Sequence, residues 1–207
     1  MVSSVRSLKR LVYLISPNKI YPNFYKDLRK VLSSKKVSFF QLRLKKTPKN
    51  LIIKTAKKIK KITNRYKVKF IINDDCKLAK KINADGCHIG QLDNTVDLAR
   101  KDMKKKTIGV TCHGSKKLAL RASRDKADYL AFGSFFKSRL KPNAKKVDLK
   151  ILFWAKKNIR TPIVAIGGIT DKNYKKLINA GANYIAISTF IWNNPFLKPE
   201  HAIKKFE

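Results

Sequence analysis

Three places in the sequence combine residue types that can handle a charged ligand. The first is "FFQLRLKK" at residues 39–46. Side chains alternate across a strand, so Gln41, Arg43 and Lys45 share one face while Phe40, Leu42 and Leu44 share the other. A Gln–Arg–Lys row turned into a protein interior is costly unless an anion meets it. Arg43 offers a bidentate fork and Lys45 a point charge, a pairing suited to a diphosphate. The second place runs through "FIINDD" and "HIGQLD", where Asn73 and Asp74 end one apolar run and Asp93 follows the next. Carboxylates from two neighbouring strand ends can share one hard cation, and magnesium takes one or two carboxylates with water and substrate phosphate completing its shell. Asp75 reads instead as the N-cap of "CKLAKKI", and Asp85 as a turn residue. His88 reads as a packed side chain, since no second His or Cys stands at metal-site spacing. The third place is "IVAIGGITDKNYKKL", whose Gly167–Gly168 pair lets backbone N–H groups approach a phosphate. "AISTF" sets Ser188 and Thr189 beside it.

Positioning these groups requires strands that end on one side of the molecule. Eight short apolar runs fit: 11–15, 39–44, 69–73, 86–89, 107–111, 129–133, 163–167 and 184–188. Between them lie segments of helical period, the clearest being 51–66, with 118–127 and 174–180 similar. Thr170 or Asp171 is placed to cap the seventh helix, and Pro195 to start the last. Strands alternating with helices imply a parallel sheet covered on both faces. Eight regular units without a Gly-rich dinucleotide fingerprint favour a closed (β/α)8 TIM barrel over a doubly wound open sheet. One such domain accounts for residues 1–207. In a barrel the three places above gather at the C-terminal strand ends, where barrels also build phosphate sites from the loops after strands seven and eight. The connection from Gly133 to Val147 is long enough to be a lid. Its Lys137, Arg139, Lys141, Lys145 and Lys146 suggest an anion beneath it.

Composition narrows the class. The 207 residues carry 49 Lys+Arg against 13 Asp+Glu, a net charge of +36. Such charge suits phosphorylated ligands or nucleic acid. The basic residues are nevertheless spread over nearly every segment and no nucleic-acid motif accompanies them, so no specific nucleic-acid partner is expected. No stretch approaches membrane-spanning length. Three cysteines without CxxC spacing predict free thiols in a reducing, cytoplasmic setting.

The motifs "QLRLK", "IIND", "ADGCHIGQLD", "IGVTCH", the Gly133–Lys141 loop, "PIVAIGGI" and "AIST" occur in an order, and on strands, that resemble the thiamine-phosphate synthase family over nearly the whole chain. The resemblance implies a (β/α)8 barrel that joins 4-amino-2-methyl-5-hydroxymethylpyrimidine diphosphate to a thiazole phosphate with magnesium, releasing pyrophosphate. It implies that Gln41, Arg43, Lys45 and Asn73 contact the pyrimidine diphosphate and that Asp74 and Asp93 hold magnesium. Thr111, where the family has Ser, would lie beside the pyrimidine or the diphosphate, and Lys141 would grip the diphosphate from the lid. Gly168, Ser188 and Thr189 would bind the thiazole phosphate. Arg43, Lys45 and Lys141 would act in catalysis by neutralising the leaving group. The family's chemistry is dissociative and needs no general base at the carbon centre. Its partners are small phosphorylated molecules, and a homodimer is compatible with it. The lid departs from the family's Thr-x-Thr-Lys pattern: "SRLK" keeps a hydroxyl at Ser138 but has Leu140 at the second position. A thiazole tautomerase branch shares the fold, and His113 would serve that chemistry. The five charged residues Arg43, Lys45, Asp74, Asp93 and Lys141 favour the synthase, although Leu140 would suit a weakened paralogue.

Overall fold

The alternating apolar and helix-period segments become, in a computed structural model describing residues 10–93, 95–137 and 145–207, a ring of strands with helices outside it. The order is β1 (Val12–Ile15), α1 (Phe24–Ser33), β2 (Val37–Leu42), α2 (Lys49–Arg65), β3 (Lys69–Asn73), α3 (Cys76–Lys81), β4 (Gly86–Ile89) and α4 (Val96–Met103). Then come β5 (Thr107–His113), α5 (Lys116–Arg124), β6 (Tyr129–Phe132), α6 (Lys150–Asn158), β7 (Ile163–Ile166), α7 (Tyr174–Asn179), β8 (Tyr184–Ile187), α8 (Thr189–Trp192) and α9 (Pro199–Ala202). Each strand pairs in parallel with the next, and β8 returns to β1, closing the barrel.

Strand parity sorts the side chains into two layers. Tyr13, Ile15, Phe39, Ile71, Tyr129, Ala131, Val164 and Ala186 fill the interior. Leu14, Phe40, Leu42, Phe70, Ile72, Leu130 and Ile185 face outward and pack against helix residues such as Leu28, Ile59, Leu152 and Leu177. Helix α2 illustrates the matching: Thr55, Ala56, Ile59 and Thr63 are buried while Lys54, Lys57, Lys58 and Lys61 are exposed.

The N-terminal side of the barrel is stitched by a repeated device. Asp85, Asp128 and Asn183 each follow an Ala and precede a strand. Their side chains accept from the backbone N–H of Phe70, Ile108 and Ile163, each at 2.8 Å. Their own N–H groups donate back to those same residues' carbonyls at 2.8–2.9 Å. The preceding alanines donate to the helix ends at Ala79, Ala122 and Leu177. Asp85 is therefore more than a turn residue: it ties β3 to the chain entering β4.

Asp75 caps α3 as expected, accepting from Leu78 N–H at 2.7 Å. The cap of α7 is corrected. It falls to Asn173, because residues 170–173 form a separate turn in which Asn173 Oδ1 accepts from Thr170 N–H at 2.9 Å. The last helix starts at Pro199 rather than Pro195, since Ser188 already initiates the short α8 and the chain turns before α9. The expectation of three free thiols is also corrected. Packing α3 onto the outer face of β4 brings Cys76 and Cys87 together as a disulfide with Cα atoms 5.5 Å apart. Cys112 alone is free, and burial pushes its thiol up to about 12. No helix among the described residues is long and apolar enough to cross a membrane.

Candidate active site

The C-terminal strand ends open into a cavity of about 1250 Å³. Its lining includes every sequence-predicted site residue that the structure describes: Gln41, Arg43, Lys45, Asn73, Asp74, Asp93, Thr111, Gly168, Ser188 and Thr189. Ser138 and Lys141, with Arg139 and Leu140, lie outside the described residues. Lys137, Lys145 and Lys146, on the flanks of that loop, do face the cavity.

Strand β2 and the residues after it supply the Gln–Arg–Lys row. Gln41 is buried and opposite Ile71 in the register, so its side chain turns into the barrel mouth. Ser16, which belongs to none of the sequence motifs, anchors this row. Its hydroxyl accepts from Arg43 N–H at 3.0 Å, its N–H donates to the Gln41 carbonyl at 2.9 Å, and its carbonyl accepts from Ser188 Oγ at 3.0 Å. One short serine at the end of β1 thus holds the ends of β2 and β8 in place. A polar residue closing an apolar run before Pro17 is its only mark in the sequence.

The two aspartates meet. Asp74 adopts a left-handed backbone (φ 66°), which a short polar side chain tolerates. Its N–H donates to the His88 carbonyl at 2.7 Å, which pins it beside β4. Asp93 Oδ2 accepts from Gly90 N–H at 2.6 Å, so the turn after β4 curls the carboxylate back over the strand end. Burial raises the Asp93 carboxyl above its ordinary value, and the adjacent Asp74 carboxylate raises it further; the Gly90 N–H and Lys45 pull the other way. Lys45 forms an ion pair with Asp74. An ammonium thus sits where two carboxylates converge, which is a place suited to a cation. No cluster of three or more His, Cys, Asp or Glu side chains occurs among the described residues. Asp74 and Asp93 would offer a cation two hard oxygen ligands, the set that suits a cation taking its remaining ligands from water and phosphate.

The glycine pair after β7 has a structural duty the sequence did not reveal. Gly167 and Gly168 have φ of 109° and 60°. A Cβ on Gly168 would stand 2.2 Å from the Lys137 carbonyl, and one on Gly167 would stand 2.0 Å from Ser134 Oγ. The loop leaving β6 crosses directly over them, with Phe135 and Phe136 N–H donating to the Ile166 and Gly167 carbonyls at 3.1 Å. The same pair that would admit a phosphate therefore also seats residues 134–137 after β6.

His88 is a packed barrel residue, as expected, bonded to Tyr129 and Thr111 at 2.9 and 2.8 Å. Tyr13 and Tyr129, which the sequence showed only as strand apolar positions, also border the cavity.

A sequence model of the thiamine monophosphate synthase family matches residues 12–191. The thiamine-phosphate synthase of Pelagibacter ubique (strain HTCC1062) is 58% identical over 201 residues, 96% of this chain and 97% of that protein. The one from Thermoplasma acidophilum is 33% identical over 202 residues, covering 98% and 92% respectively. Among solved structures, thiamine phosphate pyrophosphorylase from Pyrococcus furiosus is similar with a TM-score of 0.85 at 25% identity, covering 96% of this chain and 94% of that one. The chain belongs to the thiamine monophosphate synthase family and is an enzyme of the transferase class.

Proposed function

We propose that the single barrel domain joins 4-amino-2-methyl-5-hydroxymethylpyrimidine diphosphate to a thiazole phosphate, giving thiamine phosphate and pyrophosphate. The observation that carries this reading is the meeting of the Gln41–Arg43–Lys45 row and the Asp74–Asp93 pair at one rim. Either alone would bind an anion or a cation. Together they suit a diphosphate held partly by basic side chains and partly through a metal.

Arg43 grips the diphosphate with its two-pronged fork and Lys45 meets it as a point charge. Lys141 and Ser138, which lie outside the described residues, would contact the same group. Asp74 and Asp93 would hold magnesium, and its charge would help neutralise the leaving diphosphate. Lys45, which pairs with Asp74 at the same rim, lies within the cavity and would meet the diphosphate there. Asn73, Gln41 and Thr111 orient the pyrimidine ring. Gly168, Ser188 and Thr189 take the thiazole phosphate. The carbon–oxygen bond to the diphosphate breaks first, the electron-rich aminopyrimidine supports the cation, and the thiazole nitrogen attacks it. Holding both rings in line and stabilising the departing charge is the work required, and no protein nucleophile is needed. Small phosphorylated substrates and a cytoplasmic setting go with this reaction.

The test mixes the protein with both phosphorylated substrates and magnesium and follows thiamine phosphate. Product that vanishes with a chelator and returns with magnesium is expected. No product at high enzyme concentration sinks the synthase reading, and chelator-resistant turnover sinks the metal assignment.

A further inference from the structure

Ser16 lies between the last residue of β1 and Pro17, and there the bonding pattern of the sheet changes. In a parallel ladder a residue donates its N–H to the neighbouring strand, and its carbonyl accepts from the residue two places further along that strand. Ser16 keeps the first half, its N–H donating to the Gln41 carbonyl at 2.9 Å. The second half would bring Arg43 N–H to the Ser16 carbonyl. Arg43 N–H donates instead to Ser16 Oγ at 3.0 Å. The Ser16 carbonyl is taken by Ser188 Oγ, just after β8, at 3.0 Å.

Every direction in this set is fixed by the atoms. A backbone N–H only donates and a carbonyl only accepts. Ser16 Oγ therefore accepts from Arg43 N–H, its own proton is left for the Arg43 carbonyl 3.4 Å away, and Ser188 Oγ donates to Ser16. Both serines are buried, 2% and 8% exposed. Pro17 has no N–H, so the chain leaving β1 has no donor there to continue the ladder. The Ser16 hydroxyl thus stands in for its own carbonyl, and the carbonyl serves β8. Ser188 passes the constraint on, since its carbonyl accepts from Ile191 and Trp192 N–H at 2.9 and 3.0 Å. Trp192 Nε1 donates back to the Ile15 carbonyl at 2.6 Å. The chain after β8 is fastened to β1 at two adjacent carbonyls.

We propose that Ser16 is a positioning residue that couples the two substrate positions, its hydroxyl setting Arg43 and its carbonyl setting Ser188. This rests on the reading in which Arg43 meets the diphosphate and Ser188 the thiazole phosphate. Arg43 is the first residue beyond β2, so its side chain leaves at the angle at which its main chain is held. Without the Ser16 hydroxyl, Arg43 N–H loses its acceptor. The ladder offers it the Ser16 carbonyl, and drawing that carbonyl toward Arg43 withdraws it from Ser188. A loss on one side is therefore carried to the other, and joining two substrates requires both to be held in line.

The test compares Ser16→Ala, Ser188→Ala and the variant carrying both. The first measurement needs no substrate: amide hydrogen exchange is followed by NMR at Arg43. Exchange in Ser16→Ala is expected to be about tenfold faster than in wild type, the scale of one lost hydrogen bond. It slows again in the double variant, where Ser188 no longer holds the carbonyl. Ser16→Thr, which keeps the hydroxyl, exchanges as wild type does. The second measurement is steady-state turnover. KM for the pyrimidine diphosphate follows the same order, raised about tenfold in Ser16→Ala and brought back toward wild type in the double variant. KM for the thiazole phosphate rises in all three variants. If Ser16→Ala does not fold, Ser16→Cys, whose thiol is a weak acceptor, stands in. A Ser16→Ala protein that melts lower but keeps wild-type Arg43 exchange and both KM values has lost a structural contact only, which overturns the proposal. Losses that the double variant deepens rather than relieves show two independent contacts and overturn it as well. A wild type that makes no thiamine phosphate removes the two-substrate reading instead, and the exchange measurements then decide the Ser16 arrangement by themselves.

Discussion

Asp93 is the residue at which the proposed metal site is most directly tested. Its carboxyl, on an exposed residue, is raised above its ordinary value by partial desolvation and by the adjacent Asp74. Asn in its place keeps an oxygen for the Gly90 N–H and removes the repulsion. Asp93→Asn is therefore expected to melt no lower than wild type in metal-free buffer. Its magnesium-dependent kcat should fall by about 10²-fold or more, the scale seen when one preorganised electrostatic partner of a transition state is removed. Calorimetry with a chelator, alongside turnover at saturating magnesium, checks both halves; full activity would remove Asp93 from the ligand set. At this scale the sequence was legible where chemistry is local. Asp74, Asp93, Gln41 and Arg43, all four of which line the cavity, stood out as candidates by type and by position at strand ends. Ser16 and Tyr129 did not, because a serine before a proline and a tyrosine in an apolar strand are ordinary until the tertiary fold shows what lies opposite.

The connections between elements divide the molecule into a side that holds the barrel closed and a side that acts. On the first, Asp85, Asp128 and Asn183 repeat one arrangement. Its three copies of Ala-Asp or Ala-Asn before a strand stand in plain view in the sequence, but their meaning depends on the neighbouring strand's N–H. On the second, residues 134–137 after β6 cross directly over Gly167 and Gly168, so these two segments pack as one unit. Strand alternation located β7 and its glycines, yet periodicity carries no information about which loop passes over which. Gly168→Ala is the corresponding prediction. Its left-handed backbone costs an L-residue about 1–2 kcal/mol, and the new methyl would strike the Lys137 carbonyl. A lowered melting temperature is expected together with raised KM values for both substrates if Gly168 binds the thiazole phosphate as proposed, since residues 134–137 that pack on it would be displaced at the same time. A change confined to one KM would show that the two segments move independently.

The whole molecule carries a net charge of +36 on 207 residues, and at this scale two causes compete. Compositional drift would spread lysines over every exposed position with no consequence for turnover, whereas a functional field would draw anionic substrates toward the mouth. The lysines of α2 lie outside the cavity lining, while Arg43, Lys45, Lys137, Lys145 and Lys146 lie within it. Local contacts and the global field can therefore be separated. Screening shortens electrostatic reach from about 10 Å at 0.1 M salt to about 3 Å at 1 M, so steering should fade over that interval while bound substrate, held at contact distance, reacts as before. The expected result is a kcat/KM for the pyrimidine diphosphate that falls several-fold with salt, at a kcat constant within about twofold. Replacing Lys54, Lys57 and Lys61 of α2 with Gln should flatten that salt slope without altering kcat, because those side chains can act only through the field. A salt slope identical to wild type in this triple variant would assign the attraction to the rim residues alone and leave the remaining surface charge to drift. The same titration covers polyanion binding: nonspecific attraction to nucleic acid weakens steeply with salt, and sequence-selective binding that persisted at physiological salt would point to a second role for the basic surface.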